Sequence, residues 1–137
     1  MPSRWNASLA LALVLVVSAL PATGQDAGSE LTVPQMAFGT GYDYETRVLE
    51  GEGDTFPAGV EVVWCRTRID GAAEATTVTH VWYRDGKTMA RVELKVASPS
   101  YRTVSSKKIL PEWTARWEVK VLDTEGTVLR SESFTVE

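Results

Sequence analysis

Short runs of alternating apolar and polar residues follow one another from residue 31 onward, with turn residues between them at intervals of eight to twelve positions. Such runs predict β-strands, because successive side chains of a strand point to opposite faces. Their spacing is typical of an all-β sandwich or barrel. We predict seven strands, at 31–38, 60–69, 76–84, 87–96, 101–107, 113–122 and 127–136. No helical period persists for three turns after residue 25, so helix is a minor component at most.

The dipeptide Asp85-Gly86 lies between two alternating runs and predicts a tight hairpin turn. Both residues tolerate the positive φ that a two-residue type I′ turn requires. Such a turn would place Trp82 opposite Met89 and His80 opposite Arg91. The residues then expected on the core face are Val81, Tyr83, Ala90, Val92, Leu94 and Val96. The other face would present His80, Trp82, Met89 and Arg91 to solvent.

The last two runs predict further core positions. Apolar residues recur at every second position, namely Trp113, Ala115, Trp117, Val119 and Val121, and then Phe134 and Val136. A strand with this alternation buries one face. We therefore predict that Trp117 is buried and that its loss is among the most damaging changes to stability.

Residues 1–24 have the three parts of a secretory signal peptide. Arg4 supplies positive charge, Leu9 to Leu20 form a 12-residue apolar run, and Ala22 and Gly24 are the small residues before a cleavage site. The apolar run is short for a membrane span, which needs about 20 residues, and no Cys follows it as a lipid attachment point. We predict cleavage after Gly24, with an uncleaved anchor as the alternative. The expected protein is periplasmic or secreted and has no stable membrane span after signal removal.

The mature chain is expected to consist of a flexible leader at 25–30 and one domain at 31–137. The strand rhythm and the length predict a single immunoglobulin-like or fibronectin-III-like antiparallel β-sandwich of about seven strands.

Composition narrows the possible chemistry. The 137 residues include 14 basic and 18 acidic side chains, one His and one Cys. An acidic chain is a poor candidate for nucleic-acid binding, which depends on a basic face. A single His and a single Cys exclude a disulfide framework and a zinc site that takes two or more His or two or more Cys ligands from one chain. No cofactor is predicted.

Five motifs in the C-terminal part carry a resemblance to a known family. They are His80-Val81-Trp82, the YRTVSSK string at 101–107, WEVKV at 117–121, GTVL at 126–129 and FTV at 134–136. Over residues 78–137 the chain resembles a bacterial secreted domain-of-unknown-function family, numbered two-nine-one-four. Tyr101 and Val104 stand where the family pattern has tryptophans, and Ala115 stands where it has glycine. The resemblance implies an exported β-sandwich and offers no established activity.

The exposed face predicted for the hairpin is the candidate binding patch. It would bring together His80, Trp82, Met89 and Arg91, and exposed aromatic and arginine side chains are enriched at binding surfaces. The alternative is that a loop or the acidic segment covers Trp82 and makes it part of the packing.

The acidic side chains of the irregular stretch before the second strand are weak calcium candidates. They are Asp43, Glu45, Glu50, Glu52 and Asp54. Calcium prefers several oxygen ligands from flexible loops, but no ordered ligand spacing is present. A solvated acidic loop is the favoured interpretation.

Two nucleophile patterns are weighed and set aside. Cys65 lies in a run that is apolar on both faces, so we expect a buried thiol, and a Cys65–His80 pair is the reactive alternative. Ser105-Ser106-Lys107-Lys108 matches S-x-x-K, but that pattern needs a helix, since residues three apart on a strand point to opposite faces.

These observations favour an exported, non-enzymatic binding or interaction module whose partner is an envelope protein or a glycan. The alternative is a small envelope hydrolase or a calcium-dependent domain. It is disfavoured because His, Cys and clustered acid–base pairs are scarce.

Overall fold

The computed structural model describes residues 30–137, so the predicted signal peptide and all but the last residue of the predicted leader lie outside the described residues. The described chain contains β-strands and no helix, which confirms the prediction of an all-β protein. The strands are β1 (Thr32–Gly39), β2 (Gly41–Asp43), β3 (Val48–Glu50), β4 (Thr55–Phe56), β5 (Val62–Asp70), β6 (Thr76–Arg84), β7 (Lys87–Val96), β8 (Ser100–Lys108), β9 (Ala115–Leu122) and β10 (Val128–Val136). Within residues 30–137 no helix is long and apolar enough to cross a membrane.

The strands form two main sheets and a small hairpin. One sheet has the order β1-β5-β8, the other has the order β4-β10-β9-β6-β7, and β2 pairs with β3. All pairings are antiparallel except that between β4 and β10. The described chain has ten strands where about seven were predicted. Seven of the ten overlap the predicted runs, and three additional short strands lie at 41–56, where the sequence has no sustained alternation.

Aromatic side chains fill the space between the two sheets. Phe134 of β10 contacts Phe38 of β1 across this space, with ring centroids 4.7 Å apart. On its own sheet Phe134 stacks on Trp117 at 5.9 Å and meets the edge of Trp82 at 6.1 Å. Trp117 is fully buried, as predicted, and its indole Nε1–H donates to the Trp113 carbonyl at 3.1 Å.

The β6–β7 hairpin has the predicted turn but a different register. Asp85 and Gly86 have φ of 49° and 83°, as a type I′ turn requires. The first pairs beyond the turn match as expected, but Trp82 then lies opposite Ala90 because Met89 is an extra, bulged residue on β7. One inserted residue turns the following side chains of the partner strand to the other face. The predicted pairing of Trp82 with Met89 and of His80 with Arg91 is therefore wrong.

With the bulge, the predicted core residues of β7 keep their places, whereas Met89 and the residues of β6 do not face as predicted. Ala90, Val92 and Leu94 pack against the core clusters, and Val96 is buried in one of them, as expected. On β6, however, His80 and Trp82 point into the core. Val81 and Tyr83 lie on the outer face of the sheet, where Val81 pairs with Arg91 on one side and with Lys120 on the other.

Candidate functional site

The outer face of the three-stranded sheet carries an unusual set of side chains. Alternate residues of β5 are buried against the other sheet, and the residues between them are partly exposed on the outside. The outward residues include Trp64, Arg66 and Arg68. In the adjoining strand β8, Arg102 lies opposite Arg68, and Val104 lies opposite Arg66. Strand alternation therefore builds one face from tryptophan and several arginines.

The β2–β3 hairpin folds against this face directly after β1. Its first link is a hydrogen bond from the Thr40 amide to the Glu50 carbonyl at 2.8 Å. A Cβ atom added to Gly39 would collide with that same carbonyl and would lie 2.8 Å from the Leu49 side chain. Glycine is therefore needed here for the hairpin to approach so closely. Leu49 is buried, and Tyr42 is its partner across the hairpin.

Asp43 shapes the turn of this hairpin. Its carboxylate accepts hydrogen bonds from the backbone N–H groups of Glu45 at 2.8 Å and Thr46 at 3.2 Å. These backbone hydrogen bonds hold the pKa of Asp43 below its ordinary value. Arg47 completes the turn with φ of 62°, a left-handed conformation that is uncommon outside glycine. The turn thereby presents Tyr44 and Arg47 at its exposed end.

Three aromatic rings cluster where the hairpin meets β5. Tyr42 stacks on Trp64 with centroids 6.0 Å apart and an interplanar angle of 26°. Tyr44 meets both rings edge-on, at 5.0 Å from Tyr42 and 6.0 Å from Trp64. Tyr44 is nevertheless 67% exposed, and Val48 on the same hairpin is 50% exposed. The cluster therefore offers an open aromatic surface to solvent.

The arginines beside this cluster differ in their partners. Arg68 forms a two-pronged pair with Asp70, with N–O distances of 3.1 and 2.8 Å. The Arg68 guanidinium holds the pKa of Asp70 below its ordinary value, and Ser100 also donates to that carboxylate at 2.9 Å. Within residues 30–137 no salt bridge reaches Arg47, Arg66 or Arg102. Three guanidinium groups of this face are thus free of ion pairs in the described chain.

Two depressions lie on the face. One has a volume of about 330 Å³ and is lined by Arg47, Arg68, Ser98, Ser100, Tyr101 and Arg102. The other has a volume of about 250 Å³ and is lined by Tyr42, Tyr44, Arg47, Tyr101, Arg102 and Val104. The depressions adjoin, because they share Arg47, Tyr101 and Arg102. We call the whole surface the aromatic–arginine face and define it by Tyr42, Tyr44, Arg47, Trp64, Arg66, Arg68 and Arg102.

A larger depression lies elsewhere and has different chemistry. It has a volume of about 490 Å³ and lies among the β5–β6 and β9–β10 loops. Its lining includes Glu74, Asp123 and Glu125 but no aromatic ring and no basic side chain. The Asp123 carboxylate accepts hydrogen bonds from the amides of Glu125 and Thr127, both at 2.9 Å, so it shapes its own turn.

The four residues of the predicted binding patch do not share a surface. His80 and Trp82 are fully buried between the sheets. Met89 is half-buried and packs against the core, whereas Arg91 is exposed on β7. The prediction that these four residues form a solvent-facing patch is wrong. The physical reason is the bulge at Met89, which changes the register of β7 against β6. Trp82 is part of the packing, which was the alternative interpretation.

His80 lies instead in a buried chain of polar side chains. Its Nδ1 is 2.6 Å from the Ser105 hydroxyl, and its Nε2 is 3.1 Å from the Thr67 hydroxyl. Trp82 Nε1–H donates to Ser105 Oγ at 3.1 Å, and Thr67 is hydrogen-bonded to Thr103. Every group is satisfied when Ser105 donates to Nδ1 and Nε2–H donates to Thr67. His80 is then neutral, and burial lowers its pKa to about 4.

This chain of hydrogen bonds contains a Ser–His pair, but its position does not suit catalysis. Ser105 is 6% exposed and His80 is 0% exposed, so neither atom of the pair is open to a substrate. A catalytic pair also needs a third group that orients the base, commonly a carboxylate. Here the far ring nitrogen of His80 meets the neutral hydroxyl of Thr67. The arrangement satisfies buried polar groups and fixes the alignment of the two sheets.

Cys65 lies in strand β5 and the S-x-x-K sequence lies in strand β8. Cys65 is fully buried, as predicted, and burial raises the pKa of its thiol. Both ring nitrogens of His80 bond to hydroxyl groups, so Cys65 is not its hydrogen-bond partner. Ser105 points inward while Lys108 is exposed, which separates the two ends of the S-x-x-K sequence.

The weak calcium candidates are not gathered into a ligand set. Among residues 30–137 no three carboxylate, His or Cys side chains come close enough to hold a metal ion. Asp43 is used by the hairpin turn, and Asp54 accepts a hydrogen bond from the Thr55 hydroxyl at 3.3 Å. Glu45, Glu50 and Glu52 are exposed, and Asp43 and Glu50 lie in the short strands β2 and β3.

Sequence reasoning missed the aromatic–arginine face, although part of its signal is visible. Trp64-x-Arg66-x-Arg68 places three long side chains on one face of a strand. The aromatic pair Tyr42-x-Tyr44 lies in a stretch that was interpreted only by its charge. The local sequence gives no sign that Tyr42 contacts Trp64, because this contact forms only when the β2–β3 hairpin folds against β5.

Comparisons with known proteins identify part of the chain. Residues 75–136 match the family model described as "Protein of unknown function (DUF2914)". This confirms the resemblance predicted over 78–137, and the matched segment runs from β6 to β10. Arg102 lies inside the matched segment, whereas the three aromatic residues of the aromatic–arginine face lie outside it.

Curated sequences and solved structures give no further information on the fold type or the activity of the chain. No curated protein matches the chain. The chain is similar to the crystal structure of an endonuclease/exonuclease/phosphatase from Beutenbergia cavernae DSM 12333, at 18% identity and a TM-score of 0.33. That match covers 77% of this chain and 35% of the other, so the chain spans about a third of that protein's length. A TM-score this low supports no inference about fold type or activity.

Proposed function

We propose that this protein is an exported, non-enzymatic binding module that presents its aromatic–arginine face to an envelope protein or glycan. One observation carries the proposal: an open aromatic cluster lies beside three guanidinium groups that no described ion pair occupies. Aromatic and arginine side chains are the types most enriched among residues that dominate binding energy. A net charge of −4 makes a local concentration of arginine the more unusual.

The fold we propose is a fibronectin-III-like sandwich. Support comes from the strand order, since a three-stranded sheet β1-β5-β8 faces a sheet in which β7 pairs with β6. In the constant-type immunoglobulin arrangement the corresponding extra strand joins the other sheet. Such sandwiches serve many unrelated functions, so the proposed function depends on the face and not on the fold.

Export is the second part of the proposal. It is supported by the signal-like sequence of residues 1–24, with its basic start, its apolar run and its small residues at the cleavage position. The binding role is preferred to hydrolysis because the Ser–His pair that most resembles catalytic machinery lies in the core. The module would therefore act outside the cytoplasm by holding a partner.

Capture from an envelope extract tests the proposed function. Wild-type protein, the double variant Tyr44→Ala/Arg102→Ala and the control Arg91→Ala are immobilised at equal density, and retained protein and glycan are quantified. Arg91 is a matched control because it is also an exposed arginine on a strand at a sheet edge. We expect the double variant to lose most of the retained material and Arg91→Ala to retain all of it. Equal retention by the three proteins would contradict the proposal.

A further inference from the structure

Taking the proposed function as its basis, we infer that the occupant of the aromatic–arginine face is an acidic polysaccharide, a chain of sugar rings that carry carboxylates. Four features of the face carry this inference: its charge, its exposed ring, its shape and the hydroxyl groups that line it.

The charge of the face calls for an anionic partner. Arg47, Arg66 and Arg102 have no salt-bridge partner within residues 30–137. Asp70 is engaged by Arg68 and Asp43 by the hairpin turn, whereas Glu45 and Glu50 of the hairpin are exposed and form no salt bridge in this range. The two depressions themselves are lined by arginine and by no acidic side chain. A guanidinium matches a carboxylate with two parallel hydrogen bonds, which gives geometric selectivity as well as attraction.

The exposed ring calls for a partner with an apolar surface. Tyr44 is 67% exposed. Its neighbour Tyr42 is stacked on Trp64 and contacts the Tyr44 ring edge-on. The face of an aromatic ring is electron-rich. The C–H groups on one side of a sugar ring carry partial positive charge and pack against such a face. A simple anion such as phosphate would leave this aromatic surface unused.

The shape of the face suits an extended polymer. The two depressions, of about 330 and 250 Å³, adjoin at Arg47, Tyr101 and Arg102. A small ligand is usually held in a single pocket that buries most of its surface. A chain that lies across both depressions can instead place one ring against Tyr44 and carboxylates against Arg47 and Arg102.

Hydroxyl groups beside the arginines suit a sugar partner. Ser98 and Ser100 line the larger of the two depressions together with Arg47 and Arg102. Their hydroxyls donate to the Ser100 carbonyl and to Asp70, and each oxygen can still accept a hydrogen bond from a sugar hydroxyl. Strand β8 is an edge strand of its sheet, so a peptide could add to it, and the polyglutamate probe described below tests that occupant.

Titration of the purified protein with oligogalacturonate tests this inference. Two matched probes separate its parts: methyl-esterified oligogalacturonate keeps the rings without the charge, and polyglutamate keeps the charge without the rings. We expect calorimetric binding of oligogalacturonate, with much weaker binding of both other probes. The binding should weaken as salt concentration rises, because exposed charges are screened.

Variants locate the binding on the face. Tyr44→Ala and Arg102→Ala should each weaken oligogalacturonate binding about fivefold or more, as anchor residues do, and Arg91→Ala should leave it unchanged. Arg102→Lys should recover only part of the affinity, since lysine keeps the charge but not the two-pronged geometry. Thermal melts of the same proteins verify that each variant is folded.

Two outcomes would overturn the inference. If polyglutamate binds as tightly as oligogalacturonate, the face recognises charge alone and the sugar assignment is wrong. If oligogalacturonate does not bind while envelope capture still depends on Tyr44 and Arg102, the occupant is of another class and the proposed function stands. Loss of that dependence in the envelope capture would instead contradict the proposed function itself.

Discussion

Acidification should destabilise this protein through its single histidine. His80 is fully buried, and burial lowers its pKa to about 4, whereas the ordinary value is 6.5. Well above pH 6.5 the residue is neutral in both the folded and the unfolded chain, so its contribution to stability is fully present. Below that pH the unfolded chain binds a proton that the folded chain does not bind, and unfolding is favoured. The loss is nearly complete at about pH 4.

The size of the effect follows from the two pKa values. Each pKa unit corresponds to about 1.4 kcal/mol, so the total loss is about 3 kcal/mol, of which about 2 kcal/mol falls between about pH 7.5 and pH 5. That is a large part of the roughly 5 to 15 kcal/mol expected for a domain of this kind. The hydrogen bonds give the structural reason. A protonated ring has two N–H donors, and Ser105, which already accepts from Trp82, could no longer donate to Nδ1.

Urea unfolding followed by tryptophan fluorescence at a series of pH values measures this loss. The variant His80→Gln is the control, because it keeps a polar side chain but cannot titrate in this range. Asp43 and Asp70 have lowered pKa values, so their protonation affects stability mainly below about pH 5, under the pH range in which most of the His80 effect falls. We expect the free energy of unfolding of the wild type to decrease as the pH is lowered. The free energy of unfolding of the variant should stay nearly constant over the same pH range.

Nuclear magnetic resonance of the imidazole provides an independent reading. Because the chain has one histidine, its ring signals are unambiguous in protein without an affinity tag. The signals of the folded protein should not titrate between about pH 7 and pH 5. An imidazole that titrates near pH 6.5, or parallel pH profiles for wild type and His80→Gln, would refute the reasoning.

Three further predictions concern the core and the N-terminus. Trp117→Ala should lower the free energy of unfolding by about 3 to 5 kcal/mol, because it removes the ring that stacks on Phe134. Urea unfolding measures this loss, and a loss below about 1 kcal/mol would contradict the prediction. Cys65 is fully buried and the pKa of its thiol is raised, so Ellman's reagent should label it only after denaturant is added. Prompt labelling of the folded protein would contradict this prediction and would show that strand β5 opens readily. The exported protein should begin at Gln25, since cleavage is predicted after Gly24, and an intact mass that includes residues 1–24 would favour an uncleaved anchor.

The strands with one buried face could be predicted well from the sequence. In β9 the buried residues Trp117, Val119 and Val121 alternate with charged ones, so the pattern and the structure agree. Strand β6 is different because it lies between β7 and β9 and has buried residues on both faces. His80, Val81 and Trp82 are all fully buried, and no alternation remains from which the inner face could be inferred.

The bulge at Met89 and the aromatic–arginine face escaped prediction for a related reason. A bulge adds one residue without changing the local composition, so the turn Asp85-Gly86 alone could not reveal it. The aromatic–arginine face depends on contacts between distant residues, such as Tyr42 with Trp64. The structural requirement at Gly39 becomes visible only once Leu49 and Glu50 lie against it.

Residue-by-residue mapping of the bound surface tests the central claim most directly. Amide chemical shifts of the labelled protein are followed while the envelope component retained in the capture experiment is added. We predict that the largest changes fall at 42–48, at 64–68 and around Arg102, which together contain the aromatic–arginine face. Changes concentrated around Arg91 on β7, or around the acidic loops that contain Glu74 and Glu125, would contradict it.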